Sequence, residues 1–424
     1  MINTPRGTRD IVGDEANLFE FLVERFKNIA RLNGFNPIIT PIIEYFELFE
    51  KKSGEEIIKS MYVFEDKAGR RIALRPELTA PVVRAFLGKL RGMPRPLMFY
   101  YVGQCFRYEE PQRGRYREFW QAGLEVIGEQ SIDADIKVIN VIEEFLTDIG
   151  LDHYYVVGNV GIYRKIMNVL GIPAQEQDHI LHLIDKGMIE KAIEYCNKFG
   201  EKVVDAINIL INNKLENIVD SLKTYVDEKT VNELYGEVEK TITLLEFLKE
   251  FGAKADYDPK LVRGLAYYNS VIYEVKTSGL EISIGGGGRY DGLTTVYGGP
   301  FEYATGAALG IDRIMLAIES KKKLSYTSKG VIIIVIDEEP RALHLAYSVT
   351  RKLHEYGIYS KVIVGKKISK ALSLASREKQ KYAIIIGPKE VKENRVTIKD
   401  LEKGVQETVD IEHILNYIAC REFT

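Results

Sequence analysis

The sequence of 424 residues has few cysteines, no long apolar run and no strong net charge. Its three cysteines, Cys105, Cys196 and Cys420, are far apart and form no CxxC pair, which argues against a disulfide framework or a cysteine-based zinc site. The longest apolar run, residues 330–336, has the length of a strand, whereas a membrane-spanning helix needs about 20 apolar residues. A net charge of −3 argues against a histone-like nucleic-acid binder. Because the chain also begins with polar residues, we expect a protein of the reducing cytoplasm without a membrane anchor.

Locally paired strands dominate the first part of the chain, residues 1–170. The segments 97–108 and 116–127 have the composition of strands and are joined by a short polar loop, which predicts a hairpin. An amphipathic helix with Asp14 as its N-cap precedes them. Short strands that pair locally, with helices around them, predict an antiparallel sheet in an α+β fold.

The hydrophobic pattern changes twice farther along the chain. Apolar residues recur at helical spacing from 171 to 252, which predicts a helical insertion. Strand patterns return at residues 270–276 and 281–285, and a strand that leads into a helix is predicted at 304–319. The final part alternates strands and helices and is net basic, which predicts a small α/β domain that meets a polyanion. We expect four parts: a core at residues 1–170 and 253–322, an insertion at 171–252, a linker at 323–329 and a tail domain at 330–424.

Charged residues are dense on the predicted hairpin. Arg107 and Glu109 alternate along its first strand, and polar or charged residues also occur on the second strand: Arg115, Arg117, Gln121 and Glu125. Placing so many charges on a sheet is costly without a charged ligand, and an arginine guanidinium group matches the oxygens of a phosphate. A phosphate-containing ligand and a salt-bridged solvent face explain this pattern equally well.

Three further segments combine glycine with an arginine. Arg263 precedes a glycine and the pair Tyr267 and Tyr268, which suits an anion clamp beside a polar pocket or, alternatively, a structural tyrosine pair. The glycine run 285–288 is not a P-loop, and such a run is more often a tight turn. Arg313 lies at the start of a predicted helix, where a bound anion would offset its unfavourable position on the helix dipole.

His179 and His182 form the nearest approach to a metal-binding pattern. They lie three residues apart on a predicted helix of the insertion. Two imidazoles alone are too few for a metal site, so no metal ligand is assigned among the side chains, and an ordinary helix face is the simpler interpretation.

In this order, and over nearly the whole length, these segments resemble histidyl-tRNA synthetases, a family of class II aminoacyl-tRNA synthetases. The general class II elements correspond to residues 34–44 (motif 1), 104–127 (motif 2, with Phe106-Arg107-Tyr108-Glu109) and 304–319 (motif 3). Three segments are more specific to the family: Arg75-Pro76-Glu77, Leu261-Val262-Arg263-Gly264-Leu265 with Tyr267-Tyr268, and Gly287-Gly288-Arg289-Tyr290-Asp291-Gly292. The chain departs from the family at Ala266, where an acidic residue is usual, and at Asp312, where glutamate is commoner.

The resemblance implies a class II antiparallel sheet flanked by helices, with a helical insertion and a C-terminal α/β anticodon-binding domain. It implies a ligase that activates histidine with ATP, forming histidyl-adenylate and pyrophosphate, and then transfers histidine to the 3′-terminal adenosine of tRNA(His). Mg²⁺ would accompany ATP, and the expected assembly is a homodimer formed through motif 1. The alternative is a synthetase-like regulatory subunit of ATP phosphoribosyltransferase, which typically lacks the tail domain and the catalytic arginines.

The resemblance also assigns roles to individual side chains. Three arginines would be catalytic: Arg107, Arg263 and Arg313. ATP would be bound by Arg107, Glu109, Arg115 and Arg313. Histidine would be bound by Glu77, Thr79, Gln121, Glu125, Arg263, Tyr267, Tyr268 and Tyr290. Three loop residues would contact the acceptor end of the tRNA: Gln112, Arg113 and Arg115.

Overall fold

The computed structural model describes residues 2–51, 55–262, 267–321, 330–337, 339–365 and 367–419. The chain divides into two compact units, residues 1–324 and 325–424. Each unit has its own large sheet and its own buried apolar clusters, as expected for a chain of this length. The expected linker at 323–329 lies outside the described residues.

The first unit mixes helices with strands. Its strands are β1 (Asn36–Pro37), β2 (Ile43–Tyr45), β3 (Val63–Glu65), β4 (Arg71–Leu74), β5 (Leu97–Phe106), β6 (Glu118–Ile127), β7 (Tyr154–Asn159), β8 (Lys254–Tyr257), β9 (Val271–Lys276), β10 (Gly285–Arg289) and β11 (Ala304–Gly310). Its helices are α1 (Asp14–Leu32), α2 (Phe46–Glu50), α3 (Glu55–Ser60), α4 (Thr79–Ala85), α5 (Asp133–Asp148), α6 (Val160–Val169), α7 (Ala174–Asp185), α8 (Ile189–Cys196), α9 (Glu201–Asn212), α10 (Ile218–Leu222), α11 (Glu228–Glu250), α12 (Leu293–Val296) and α13 (Ile311–Lys321). In the part of the chain that the structure describes, no helix is both long and apolar enough to cross a membrane.

Eight strands form the main sheet of the first unit, in the order β1-β5-β6-β11-β10-β9-β7-β8. The strands from β5 to β7 run antiparallel to their neighbours, whereas β1 and β8 pair in parallel at the two edges. The expected antiparallel sheet flanked by helices is therefore confirmed. After β7 the chain forms helices α6 to α11 and then rejoins the sheet at β8. This helical stretch therefore connects two neighbouring strands of the sheet.

The hairpin of β5 and β6 is shorter than its sequence pattern predicts. Strand β5 ends at Phe106 and β6 begins at Glu118. The prediction that Arg107 and Glu109 lie on one strand and Arg115 and Arg117 on its partner is therefore wrong. All four lie in the connection between the strands. The last backbone hydrogen bond of the hairpin, 2.9 Å from the N–H of Arg107 to the carbonyl oxygen of Arg117, lies just beyond the assigned strand ends.

Helix α1 packs its apolar face, which includes Leu18, Leu22 and Phe26, against α5, α13 and β5. Its N-cap is Gly13, at a φ of +64°, so the prediction of Asp14 as N-cap is wrong by one position. Asp14 is the first helical residue, where its carboxylate lies at the positive end of the helix dipole.

The glycine run forms a buried strand, β10, between β9 and β11, so both the predicted turn and the predicted strand at 281–285 are wrong. A Cβ atom at Gly287 would lie 2.2 Å from the carbonyl oxygen of Gly306, and one at Gly285 would lie 2.4 Å from Cδ2 of Leu309. Glycine occurs here because β10 and β11 approach too closely for side chains, a tertiary reason that the local sequence does not contain.

The second unit is a five-stranded α/β domain. Its elements are β12 (Val331–Val335), α14 (Pro340–Glu355), β13 (Ser360–Val364), α15 (Ile368–Arg377), β14 (Tyr382–Ile386), α16 (Pro388–Glu393), β15 (Arg395–Asp400), β16 (Gln406–Asp410) and α17 (Ile414–Ala419). The sheet order is β13-β12-β14-β15-β16, with the first three strands parallel. The interior strand β12 is apolar throughout because both of its faces are covered. The cluster around α14 and α17 covers Ile333, and the cluster around α15 covers Ile332. The sequence patterns missed α16 and β16.

Candidate active site

A cavity of about 330 Å³ opens over β6, β10 and β11 in the first unit. It is lined by side chains from segments that lie far apart in the sequence, so only the fold brings them together. Nine of the residues that sequence reasoning assigned to the site line it: Glu77, Thr79, Arg107, Arg115, Gln121, Tyr267, Tyr268, Tyr290 and Arg313.

Arginines surround one end of the cavity. The Arg107 Nε donates to the carbonyl oxygen of Pro76 at 2.9 Å, and its guanidinium carbon lies 5.4 Å from the centroid of the Phe119 ring. Arg313, near the start of α13, donates through Nη1 to the carbonyl oxygen of Ser283 at 2.8 Å and through Nε to that of Gly114 at 3.3 Å. Backbone carbonyls therefore fix both cations at the cavity wall, as required for a site that binds phosphate oxygens.

Glu109 and Arg115 lie beside this cationic end. Their side chains are 3.9 Å apart, and both line a smaller pocket of about 30 Å³ that Arg107 and Arg313 also border. Between them the backbone turns tightly, since Gln112 and Arg115 exchange two hydrogen bonds of 2.9–3.1 Å. The three proposed tRNA contacts, Gln112, Arg113 and Arg115, are exposed on this turn.

Buried polar groups form another part of the cavity wall. Glu77 is 4% exposed and accepts hydrogen bonds from the backbone N–H groups of Thr79 and Ala80 at the start of α4. Burial raises the pKa of its carboxyl above the ordinary value. Gln121 accepts a hydrogen bond from the thiol of Cys105 at 3.2 Å, and burial raises the pKa of that thiol to about 12, so the thiol stays protonated.

Glu125 is fully buried beneath this polar end. Three hydroxyl groups donate to its carboxylate: those of Thr79 at 2.8 Å, Tyr101 at 3.1 Å and Tyr290. Burial raises the pKa of Glu125 to about 8 despite these donors. A methyl group at Gly306 would lie 1.7 Å from Oε2 of Glu125, so the glycine of β11 makes room for this side chain.

Three tyrosines enclose the space above Glu125. Tyr267 and Tyr268 are buried, with ring centroids 4.9 Å apart, and the ring of Tyr267 packs edge-on against Tyr290 at 5.8 Å. Both tyrosines of the pair also line the cavity. Arg263 and Ala266 lie outside the described residues, and with them the predictions that depend on Arg263.

Comparison with known proteins adds a second line of evidence. Residues 7–314 match the family profile described as histidyl-tRNA synthetase, and residues 330–421 match an anticodon binding domain. The histidine–tRNA ligase of Sulfolobus acidocaldarius is 41% identical over 96% of both chains. The chain belongs to the histidyl-tRNA synthetase family. It is therefore an ATP-dependent aminoacyl-tRNA ligase for histidine, whose substrates are histidine, ATP and tRNA(His).

Solved structures of the family have the same fold. The histidyl-tRNA synthetase of S. aureus is 26% identical, covers 98% of this chain and 99% of its own, and superimposes with a TM-score of 0.70. That of Nostoc sp. is 22% identical with a TM-score of 0.78 and coverage of 99% of both chains, a likeness of fold alone. The full-length relatives and the anticodon-binding tail favour the ligase over the regulatory subunit of ATP phosphoribosyltransferase.

In this member of the family, other charged residues hold the site together. Arg75 is buried and donates to the carbonyl oxygens of Thr40 at 2.8 Å and Gln104 at 2.7 Å, which ties the motif 1 segment to β5. Arg9 lies 2.6 Å from Asp312, whose other oxygen accepts the backbone N–H of Trp120 at 2.7 Å. Arg9 had no signal in the sequence, because nothing local links an N-terminal residue to motif 3.

His179, one of the two histidines considered for a metal site, packs against an aromatic ring. The ring of His179 lies 4.3 Å from that of Tyr195 in α8. Among the described residues, no three His, Cys, Asp or Glu side chains are grouped in a way that could hold a metal ion.

Proposed function

We propose that the cavity over β6, β10 and β11 is the place where histidine and ATP react, with phosphates at its arginine end and histidine at its buried polar end. One observation carries the proposal: a single cavity joins fixed cations to a buried acidic and aromatic pocket. The first kind of environment suits a polyphosphate, and the second suits a small polar amino acid.

At the phosphate end, Arg107 binds the α-phosphate of ATP and Arg313 the γ-phosphate, with Glu109 and Arg115 beside them. A carboxylate oxygen of histidine attacks the α-phosphorus, the bond to the bridging oxygen breaks, and pyrophosphate leaves. No proton has to move in this step, so catalysis rests on position and on cations that stabilise the developing negative charge. Arg263 is assigned to the same phosphate by resemblance only.

At the amino-acid end, Glu77, Thr79 and Gln121 surround the α-ammonium group of histidine. The imidazole lies among Tyr267, Tyr268 and Tyr290 and above Glu125. In its ionised form, which predominates above the pKa of about 8, the Glu125 carboxylate offers about four lone-pair positions, and three hydroxyl donors leave one for an imidazole N–H. A site that hydrogen-bonds a substrate N–H rejects apolar analogues strongly, because its buried polar groups would otherwise lack a partner.

Mg²⁺ fits the carboxylates available at this cavity. The ion prefers oxygen ligands and is usually held by one or two carboxylates together with substrate phosphates. Glu274 lines the main cavity and Glu109 the smaller pocket, so these two residues are the proposed protein ligands. The ion would neutralise part of the charge on the phosphates.

The tRNA would meet both units. Gln112, Arg113 and Arg115 on the exposed turn would contact its acceptor end, so that the terminal adenosine reaches the adenylate. Residues 330–424 would bind the anticodon, which suits the basic character of this part of the sequence.

A homodimer through motif 1 is also part of the proposal. The segment around β2, together with β3 of the same three-stranded sheet, exposes large apolar side chains: Ile39 (96% exposed), Ile43, Tyr45 and Phe64. Exposed apolar surface of this kind is typical of an interface. The free, buried thiols of Cys105 and Cys196 suit a protein of the reducing cytoplasm.

ATP–pyrophosphate exchange tests the reaction. The chain should exchange pyrophosphate into ATP with histidine and with none of the other nineteen amino acids. Absence of exchange with histidine, in a folded sample with Mg²⁺ present, would overturn the proposal. Added tRNA(His) should then become aminoacylated, which separates the second step from the first.

A further inference from the structure

A buried glutamate of the insertion lies close to the proposed histidine pocket. Glu237 belongs to α11, a helix of 23 residues that extends from the insertion to β8. The residue is only 5% exposed. An acid so deeply buried is costly unless hydrogen bonds satisfy it, so its partners indicate what it holds in place.

Three side chains donate to the Glu237 carboxylate. Oε2 accepts from the hydroxyl of Ser270 and from Nδ2 of Asn159 at 3.1 Å, while Oε1 accepts from Nζ of Lys240 at 3.1 Å. The Asn159 amide also lies 3.0 Å from Oγ1 of Thr241, and its oxygen caps α6 by accepting the N–H of Ile162. The junction thus joins three parts of the fold: α11, the end of β7 and the segment before β9.

Ser270 brings this junction to the ligand site. It follows Tyr268 by two residues, and its carbonyl oxygen accepts the N–H of Val160 at 3.1 Å. Between them, Asn269 donates its N–H to the carbonyl oxygen of Arg289 at 3.0 Å, next to Tyr290. Hydrogen bonds therefore fix the backbone immediately after the tyrosine pair on two sides.

The junction has no spare room. A Cβ atom at Gly161 would lie 2.8 Å from the carbonyl oxygen of Asn269, 2.9 Å from Oε2 of Glu237 and 3.0 Å from Oδ1 of Asn159. The first turn of α6, the Glu237 carboxylate and the segment after the tyrosines are thus in direct contact. A displacement of α11 at this point would be passed to Asn269, because close-packed groups transmit movement.

We infer that Glu237 is a positioning residue for histidine: through Ser270 and Asn159 it sets the place of Tyr267 and Tyr268, so that a helix of the insertion determines how tightly the amino acid binds. The inference rests on the proposed function in one respect, the assignment of the two tyrosines to histidine. Glu237 itself does not line the cavity, so it acts through the segment that it holds.

The test uses steady-state pyrophosphate exchange on full-length variants. Glu237→Ala should raise KM for histidine by about tenfold, equivalent to about 1.4 kcal/mol, with kcat and the KM for ATP within about twofold of the parent values. Glu237→Gln keeps an oxygen acceptor for Ser270 and should restore most of the loss. Glu233→Ala is the matched control, because Glu233 lies one turn earlier on α11, is exposed, and pairs with Lys165 at 3.6 Å and Lys229 at 3.9 Å. This variant should leave all constants unchanged.

A double-variant cycle tests the route. If Glu237 acts through Ser270, the pair Glu237→Ala and Ser270→Ala should raise KM for histidine no more than the stronger single change. If the effects of the two changes on KM for histidine are fully additive, Glu237 does not act through Ser270. Equal losses in kcat and in both KM values, together with a lower melting temperature, would show a structural role only and would also overturn the inference. If the Glu237→Ala chain does not fold, KM for histidine is measured on Ser270→Ala instead, which removes only one hydroxyl group.

Calorimetric titration with histidine alone separates this inference from the proposed function. A parent chain that binds histidine without exchanging pyrophosphate would contradict the proposed reaction, and the Kd of the Glu237 variants would still decide the positioning role. An unchanged Kd in Glu237→Ala would overturn the inference even if exchange with histidine is normal.

Discussion

The parent chain should lose folding stability as the pH rises, and replacement of Glu125 by glutamine should remove this loss. Burial raises the pKa of this carboxyl from 4.5 to about 8 in the folded chain. Between these two values the folded state binds more protons than the unfolded state, so the stability contributed by the protonated group falls as the pH rises. The contribution is fully present below about pH 4.5 and is lost once the pH passes about 8.

The size of the effect follows from the same values. The interval from 4.5 to about 8 corresponds to roughly 5 kcal/mol, at about 1.4 kcal/mol for each pH unit. Within an accessible range, between about pH 5.5 and pH 9, the parent chain should lose about 3 kcal/mol more than the Glu125→Gln variant. Glutamine is nearly isosteric and cannot ionise, so other pH-dependent groups cancel in the comparison.

Fluorescence gives a direct assay, because Trp120 is the single tryptophan and lies in β6, the same strand as Glu125. Its emission during denaturant unfolding reports on the first unit alone. The free energy of unfolding would be measured at several pH values for the parent, Glu125→Gln and Glu20→Gln, an exposed carboxylate of α1 as control. Parallel curves for the parent and Glu125→Gln would refute the reasoning, as would an equal divergence in the control.

Three further predictions concern the reaction and the assembly. Arg107→Ala should lower kcat for pyrophosphate exchange by about 10²–10³-fold, the usual cost of removing a group that stabilises transition-state charge, with little change in melting temperature; near-normal kcat would remove Arg107 from the reaction. Ile43→Asp, which places a charge on the exposed apolar surface, should convert a dimer into monomers in sedimentation analysis, and an unchanged mass would move the interface elsewhere. A chain that ends at residue 329 should still exchange pyrophosphate but charge tRNA(His) at least tenfold more slowly, and equal charging would exclude a role for the tail in tRNA binding.

The antiparallel sheet could be predicted from the sequence where its signals are local. The β5–β6 hairpin follows from strand composition on both sides of a short polar loop, and the structure has it. Strand ends were less predictable, because Arg107 and Arg117 continue the hairpin composition beyond the assigned strands. In the second unit, α16 and β16 were missed because a six-residue helix and a polar edge strand carry weak periodicity.

The site could not be predicted from spacing alone. Glu77, Gln121, Tyr290 and Arg313 are separated by tens to hundreds of residues, and only the sheet order brings them to one cavity. The family resemblance selected them because it carries the three-dimensional arrangement that spacing lacks. Strand β10 was wrongly predicted as a turn because of its glycines. These glycines are required by the close approach of β11, which is a contact between distant segments and leaves no local signal in the sequence.

The arginines near the site show how structure separates roles that the sequence leaves equivalent. Arg289 belongs to one of the three more family-specific segments, yet it is 1% exposed and pairs with Asp135 of α5. Its Nη1 and Nη2 also donate to the carbonyl oxygens of Glu129 at 3.1 Å and Ser131 at 2.7 Å. A guanidinium group engaged in this way cannot turn toward a phosphate, because it would leave a buried carboxylate uncompensated.

Arg107 differs in the respect that matters for catalysis. Among the described residues its side chain makes one hydrogen bond, through Nε, and the guanidinium group borders the cavity. In the proposed site, the segment Gly287 to Gly292 contributes Tyr290, whose hydroxyl donates to Glu125, while Arg289 anchors β10 to α5. Under this proposal, a family-specific segment contains both a group that meets the substrate and a group that holds it in place.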